Sequence, residues 1–206
     1  MNQSSKKPSK GDRVLAIARE RGVISARKLS AKGIHREYLR RLENKGLLVR
    51  TGRGIYSLTD SQQLTENHSL VEASERVPHG IICLLSALRF HNITTQAPFE
   101  VWLAIDQKAR RTKEEIIPLR IIYMSGEART AGIEEHQVEG VTLRVYSIAK
   151  TIVDCFKYRN KIGLDVALEA LRESWLHQAC TMDELWHYGK ICRVNNVMRP
   201  YLESLT

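Results

Sequence analysis

Apolar residues at helical spacing through residues 11–46, two short apolar strands around a glycine-rich turn at 47–58, and a polar break at 59–66 predict an α+β chain. The expected architecture is an N-terminal winged helix-turn-helix over 11–58, then a mixed α/β domain over 67–206 with a small sheet and a helical C-terminal part. Residues 1–10, rich in Ser, Lys and Pro, are expected to form a flexible basic arm, and 59–66 the linker between the two domains.

Val14, Leu15, Ile17 and Ala18 recur at helical spacing up to Gly22, a residue suited to a helix C-terminal cap. Ser25 is placed to cap a short second helix through Ala31, packed by Leu29, with Gly33 in the following turn. The third helix is better marked. His35 takes the cap position with Arg36 as the first helical residue, and Ile34 can meet Leu39 as a hydrophobic staple. Tyr38, Leu39 and Leu42 form one buried stripe, and Gly46 ends the helix. Leu47 to Thr51 and Ile55 to Leu58 read as strands around Gly52-Arg53-Gly54.

Beyond the linker the pattern is mixed. Helices are expected near Asn67 to Arg76 and Ile82 to His91, and strands at Val101 to Ile105, Leu119 to Met124, Glu135 to Glu139 and Val141 to Val145, the last two joined at Gly140. Ser147 can cap a helix to about Tyr158, and Leu164 to Trp175 makes another. Thr181 and Glu184 have capping-box spacing for a third. Asn195 opens a fourth, in which Pro200 predicts a kink or a late start.

The chain of 206 residues carries 32 Lys or Arg against 23 Asp or Glu, a net charge of +9, with 43% apolar residues. Such a composition excludes a disordered chain. The longest apolar run, Ile81 to Leu85, is far short of the roughly 20 residues that span a bilayer, and no apolar stretch follows the N-terminal lysines, so no membrane partner or secretory signal is expected. A cytoplasmic location is expected. Cys83, Cys155, Cys180 and Cys192 form no CxxC and read as free thiols. The positive charge is unevenly placed: residues 1–58 hold 15 basic and 4 acidic residues, a balance of +11, and residues 59–206 hold 17 and 19, a balance of −2. A basic module on a near-neutral body suits docking to a polyanion, although charge alone fits a solvated face equally well.

Helix geometry singles out the DNA-reading candidates. With Leu39 at 0°, Leu42 and Tyr38 fall near about 300° and 260°, whereas Arg36 and Arg40 fall near about 60° and 100°, away from the buried stripe. Arg36 and Arg40 are the candidates for base contacts, because a guanidinium can donate twice to guanine O6 and N7. Arg41, near about 200°, is placed for a phosphate. Arg50 and Arg53 lie at the hairpin, where a wing reaches phosphates or the minor groove, and Arg27 and Lys28 can clamp the backbone at the second helix. About five neutralised phosphates predict a log-log salt slope of about −4 to −5. The competing reading is a three-helix protein-contact module.

The run Gly33-Ile34-His35-Arg36, Leu39-Arg40-Arg41-Leu42, Lys45-Gly46-Leu47-Leu48 and Arg53-Gly54-Ile55-Tyr56 resembles the winged helix of the AbiEi family of bacterial antitoxins, the transcriptional regulators of type IV toxin–antitoxin systems. More specific are Ile82 to Leu88, Thr94-Thr95-Gln96-Ala97-Pro98, Val145-Tyr146-Ser147 with Ala149-Lys150-Thr151, Asp154 to Gly163, Ala167 to Leu171, and Met198 to Glu203. His35 departs from the small hydroxyl residue expected at the cap. The resemblance implies a non-enzymatic autorepressor that binds inverted or direct operator repeats in its own promoter. It also implies an abortive-infection antitoxin counteracting a nucleotidyltransferase-like toxin in phage defence, with no stable complex required. The antitoxic role is implied for the C-terminal domain by resemblance alone, and no cofactor is implied.

Other motifs are weaker. Ser147 and Lys150 spell S-x-x-K, but neither S-D-N nor K-T-G occurs, so Ser147 reads as a helix cap. His177, Cys180, His187 and Cys192 are zinc-ligand types, but His187 and Cys192 face different ways on one helix, so no metal is expected. Asp106 and Lys108 offer half of a Mg²⁺-dependent nuclease arrangement, the main alternative function. Glu72, Glu75 and Glu100 are the candidates for its second carboxylate, without convincing spacing. A third alternative is a ligand-sensing winged-helix regulator. Lys157, Arg159 and Lys161 cluster between two helices, either as a solvated basic turn or as an antitoxic contact surface.

Overall fold

The first helix starts earlier than the apolar pattern indicates. In a computed structural model, which describes residues 9–52, 54–59, 66–94, 96, 98–109 and 118–205, α1 spans Lys10–Arg21. The Ser9 hydroxyl accepts the Asp12 N–H at 3.1 Å, and the Ser9 N–H donates to the Asp12 carboxylate at 3.0 Å. This capping box draws Ser9 and Lys10, assigned above to the arm, into the helix start. Residues 1–8 lie outside the described residues.

After α1 comes β1 (Val23–Ser25), a three-residue strand without any sequence signature, then α2 (Ala26–Ala31). Ser25 precedes α2 but makes no side-chain capping bond. The third helix, α3, spans Glu37–Asn44, one residue shorter at its start than expected. Arg36 already has helical angles, and His35 Nδ1 accepts the Glu37 N–H at 3.3 Å, so an imidazole serves where a hydroxyl would ordinarily cap. At the other end Gly46 N–H donates to the Glu43 carbonyl at 2.9 Å and Leu47 N–H to the Leu42 carbonyl at 3.0 Å, a Schellman closure.

Strands β2 (Leu48–Gly52) and β3 (Ile55–Leu58) pair antiparallel, with a register shift between Arg50 and Gly52. β1 adds to the other side of β3, so the order is β1-β3-β2. One face, with Ile24, Leu48, Tyr56 and Leu58, joins Val14, Ala18, Leu29, Ile34, Leu39 and Leu42 in a core under the three helices. Alternation sends Val23, Ile55 and Ser57 to the opposite face. They too are buried, and α4 (His68–Arg76) packs against β1 and β3. The described chain thus divides into two compact units, the first holding the described residues up to Pro78 together with Gln137–Thr142. Helix α4, read above as the start of the second domain, falls in the first because that sheet face needs a cover.

The second unit is built on a five-stranded sheet of order β6-β5-β4-β8-β7. β5 (Val101–Asp106) runs parallel to β6 (Leu119–Met124). β4 (Ile81–Ile82) is antiparallel to β5 and parallel to β8 (Val141–Tyr146). Because Ile82 is committed to β4, the helix expected from that residue, α5, begins at Leu84 and ends at Phe90. β7 (Ile133–Val138) turns into β8 through Glu139 and Gly140, with φ of +49° and +68°, the two left-handed positions of a type I′ hairpin.

Two short helices, α6 (Glu127–Thr130) and α8 (Arg159–Ile162), carry no sequence signal of their own. α7 (Ile148–Lys157) is buried from Ala149 to Phe156 and packs against α5, α9 (Leu164–Leu176), α10 (Met182–Cys192) and α11 (Asn195–Glu203). Ser147 and the Thr181–Glu184 capping box start α7 and α10 where the sequence places them. α11 starts at Asn195 and contains Pro200.

Candidate nucleic-acid interface

Packing decides which face of α3 is free. Leu39 and Leu42 are buried, Tyr38 is half-buried, and Arg36, Arg40 and Arg41 are exposed, as the 100° rotation per residue requires. Arg41 is held along the helix: its guanidinium donates to Glu37 Oε1 at 2.6 Å and lies 5.8 Å from the Tyr38 ring centre. Both partners of that pair are more than half exposed, so water screens it and a phosphate can compete for Arg41. Arg36 and Arg40 present their forks on the adjoining part of the face. His35 is exposed but engaged as the cap of α3.

Arg27 is exposed on α2. Lys28 differs, because its ammonium is paired with Glu75 of α4, whose side chain is 3% exposed. The expected phosphate clamp would have to leave a buried carboxylate, and no local pattern could reveal a partner 47 residues away. Arg50 is exposed on β2; Arg53 lies outside the described residues. Lys32 and Lys45, passed over in the sequence, add exposed cations at the ends of α2 and α3.

The second unit places its basic trio at the end of α7 and on α8. Lys157 and Lys161 lie 5.9 and 5.7 Å from the Tyr158 ring centre, and burial pushes the Tyr158 hydroxyl up to about 12. Arg159 donates to the Phe156 carbonyl at 3.0 Å, which ties it to the C-terminal end of α7.

Ser147 caps α7, and Lys150 is fully buried, 2.5 Å from Asp154 Oδ2 and 4.2 Å from the Tyr146 ring centre, so the S-x-x-K pair has no access to a substrate. Burial raises the Asp154 carboxyl, against the pull of Lys150. Cys192 donates to Asp154 Oδ1 at 3.5 Å, His177 is exposed beside Glu173, and burial pushes the Cys180 thiol up to about 11. Among the described residues no group of three or more His, Cys, Asp or Glu is placed to hold a metal ion. Asp106 Oδ1 accepts the Lys108 N–H at 2.9 Å, Glu100 pairs with Arg120 at 2.8 Å, and Glu72 and Glu75 belong to the first unit. No described helix is long and apolar enough to cross a membrane.

The structure is similar to the crystal structure of the RV2827C protein from Mycobacterium tuberculosis, with a TM-score of 0.57 and 14% identity, over 90% of this chain and 72% of that one. At that identity the likeness is one of fold. No curated protein matches the sequence. The family model described as transcriptional regulator, AbiEi antitoxin, matches residues 12–59, the stretch that carries the exposed arginines of α3, so the AbiEi resemblance is shown for that segment.

Proposed function

We propose that the chain is a sequence-specific DNA-binding autorepressor and an antitoxin. The observation that carries this reading is the exposed arginine face of α3, set within the segment that matches the AbiEi regulators. In this reading α1 to β3 form a winged helix-turn-helix, α3 enters the major groove, and Arg36 and Arg40 read base edges. Arg27, Arg41, Arg50 and Arg53 bind phosphates, Lys28 contributes only after leaving Glu75, and His35 holds the start of α3. The operator is a repeat in the protein's own promoter, and the protein works in the cytoplasm.

By the same resemblance the second unit counteracts a nucleotidyltransferase-like toxin of a type IV abortive-infection system without a stable complex, with Lys157, Arg159 and Lys161 as the antitoxic surface. Gel retardation of the upstream promoter against a scrambled duplex, without added metal, tests repression. Sequence-dependent retardation with a salt slope of about −3.5 to −4.5, the upper end requiring Lys28 to leave Glu75, and weakened by Arg36→Ala or Arg40→Ala, is expected; a slope near zero overturns it. Charge reversal at Lys157, Arg159 and Lys161 is expected to abolish toxin neutralisation in cells, and unchanged neutralisation would remove that surface from the reading.

A further inference from the structure

The tip of the β7–β8 hairpin, Gln137–Thr142, belongs to the first unit although it lies far along the chain from α1 and α4. Three observations show how closely it is seated. His68 Nδ1 of α4 lies 2.8 Å from Glu139 Oε2, with side chains 18% and 3% exposed. A Cβ on Gly140 would stand 2.9 Å from Arg21 Cγ and 3.1 Å from both the Arg21 Cα and the Glu20 carbonyl oxygen at the end of α1. A Cβ on Gly22 would stand 2.8 Å from Glu139 Oε2. Two glycines and a part-buried His–carboxylate contact therefore shape this seat, and a side chain fits at neither glycine without displacement.

The seat continues toward the first sheet. Glu72, one turn along α4 from His68, is buried, and α4 packs against β1 and β3, the latter paired with the strand of Arg50 at Tyr56. We infer that the hairpin tip is a positioning element of the DNA-binding unit, in which Glu139, through His68, holds α4 against the sheet that carries Arg50. The functional consequence rests on the DNA-binding reading above. Operator recognition there needs α3 and β2 in register with the duplex at once, whereas nonspecific binding needs only exposed cations. Loosening α4 therefore weakens operator binding more than nonspecific binding.

Full-length wild type, Glu139→Ala, Glu139→Gln and Gly140→Ala are compared by fluorescence anisotropy on the promoter fragment and a scrambled duplex, and by amide hydrogen exchange. Glu139→Ala is expected to lose about tenfold in operator affinity, with the scrambled duplex within about twofold. Glu139→Gln retains an acceptor oxygen for the imidazole N–H and is expected to recover most of the loss. Exchange in α4, β2 and β3 is expected to quicken in Glu139→Ala and Gly140→Ala, with α7 unchanged. Wild-type operator affinity in Glu139→Ala, or equal losses in the Ala and Gln variants, overturns the inference. Should Glu139→Ala fail to fold, His68→Ala is the second variant, with the same operator-selective loss expected. If wild type shows no promoter preference, the DNA reading fails by itself. Exchange then decides the seat: faster exchange in α4, β2 and β3 supports it, and unchanged exchange overturns it.

Discussion

The first unit keeps the arginines of α2, α3 and β2 outside, while the second buries both members of an ion pair. Arg27, Arg36, Arg40, Arg41 and Arg50 are exposed on a small apolar core, whereas Lys150 and Asp154 sit at 0% and 1% exposure in the middle of α7. An exposed guanidinium adds little to stability but is available to a phosphate or a base edge. A buried pair is unavailable to any ligand, and its removal by halves is costly because one ion is left in a low-dielectric core. Charged side chains thus do opposite work in the two units, and burial is what separates them.

Lys150→Met tests the contrast most severely. Stranding Asp154 is expected to destabilise the protein by about 3–5 kcal/mol in chemical denaturation, and the double variant Lys150→Met with Asp154→Leu should recover most of that. A loss below about 1 kcal/mol would place the pair with the surface ion pairs. On the other side, Arg36→Ala and Arg40→Ala are each expected to cost about 1–3 kcal/mol of operator binding in anisotropy titrations, with relaxed preference at one base pair and unchanged thermal stability.

Smaller effects refine the picture within the first unit. His35→Ala removes the acceptor of the Glu37 N–H and is expected to cost about 0.5–1 kcal/mol of stability, with His35→Ser restoring it. Melting curves of the three proteins decide this. At Glu72 burial prevails over the opposing His68, Arg76 and Thr51, so the folded-state value of its carboxyl is raised. The stability it contributes is then present below the ordinary glutamate range and lost as pH rises through the raised value. Glu72→Gln is accordingly expected to stabilise the protein at pH 7–8, with the gain fading toward about pH 4 in a denaturation series. A gain that persisted at acid pH would assign the effect to packing instead of charge.

Local features are legible in the amino-acid sequence. The strand Leu119–Met124, the Thr181 capping box, the Ser147 cap and the exposed face of α3 each rest on residues within a turn or two of one another. The Lys150–Asp154 spacing is visible too, but i,i+4 pairs are ordinarily solvated, and only the packing of α5, α9, α10 and α11 around α7 makes this one a core pair. β1 and β4 escape such reading because three and two residues carry no period.

Where the positive charge lies, which side of α3 is polar, and the AbiEi resemblance that the family model matches over residues 12–59 all follow from the order of residues along the chain. Composition and helical periodicity suffice for the first two, because both are properties of neighbouring residues, and the resemblance rests on motifs contiguous in the chain. Folding alone settles that Glu75 occupies Lys28, that α4 covers the back of the first sheet, and that Glu139 and Gly140 complete the same unit. Each of these joins residues distant in sequence, and a buried surface or an unpaired buried charge acquires its partner only when the chain folds back on itself.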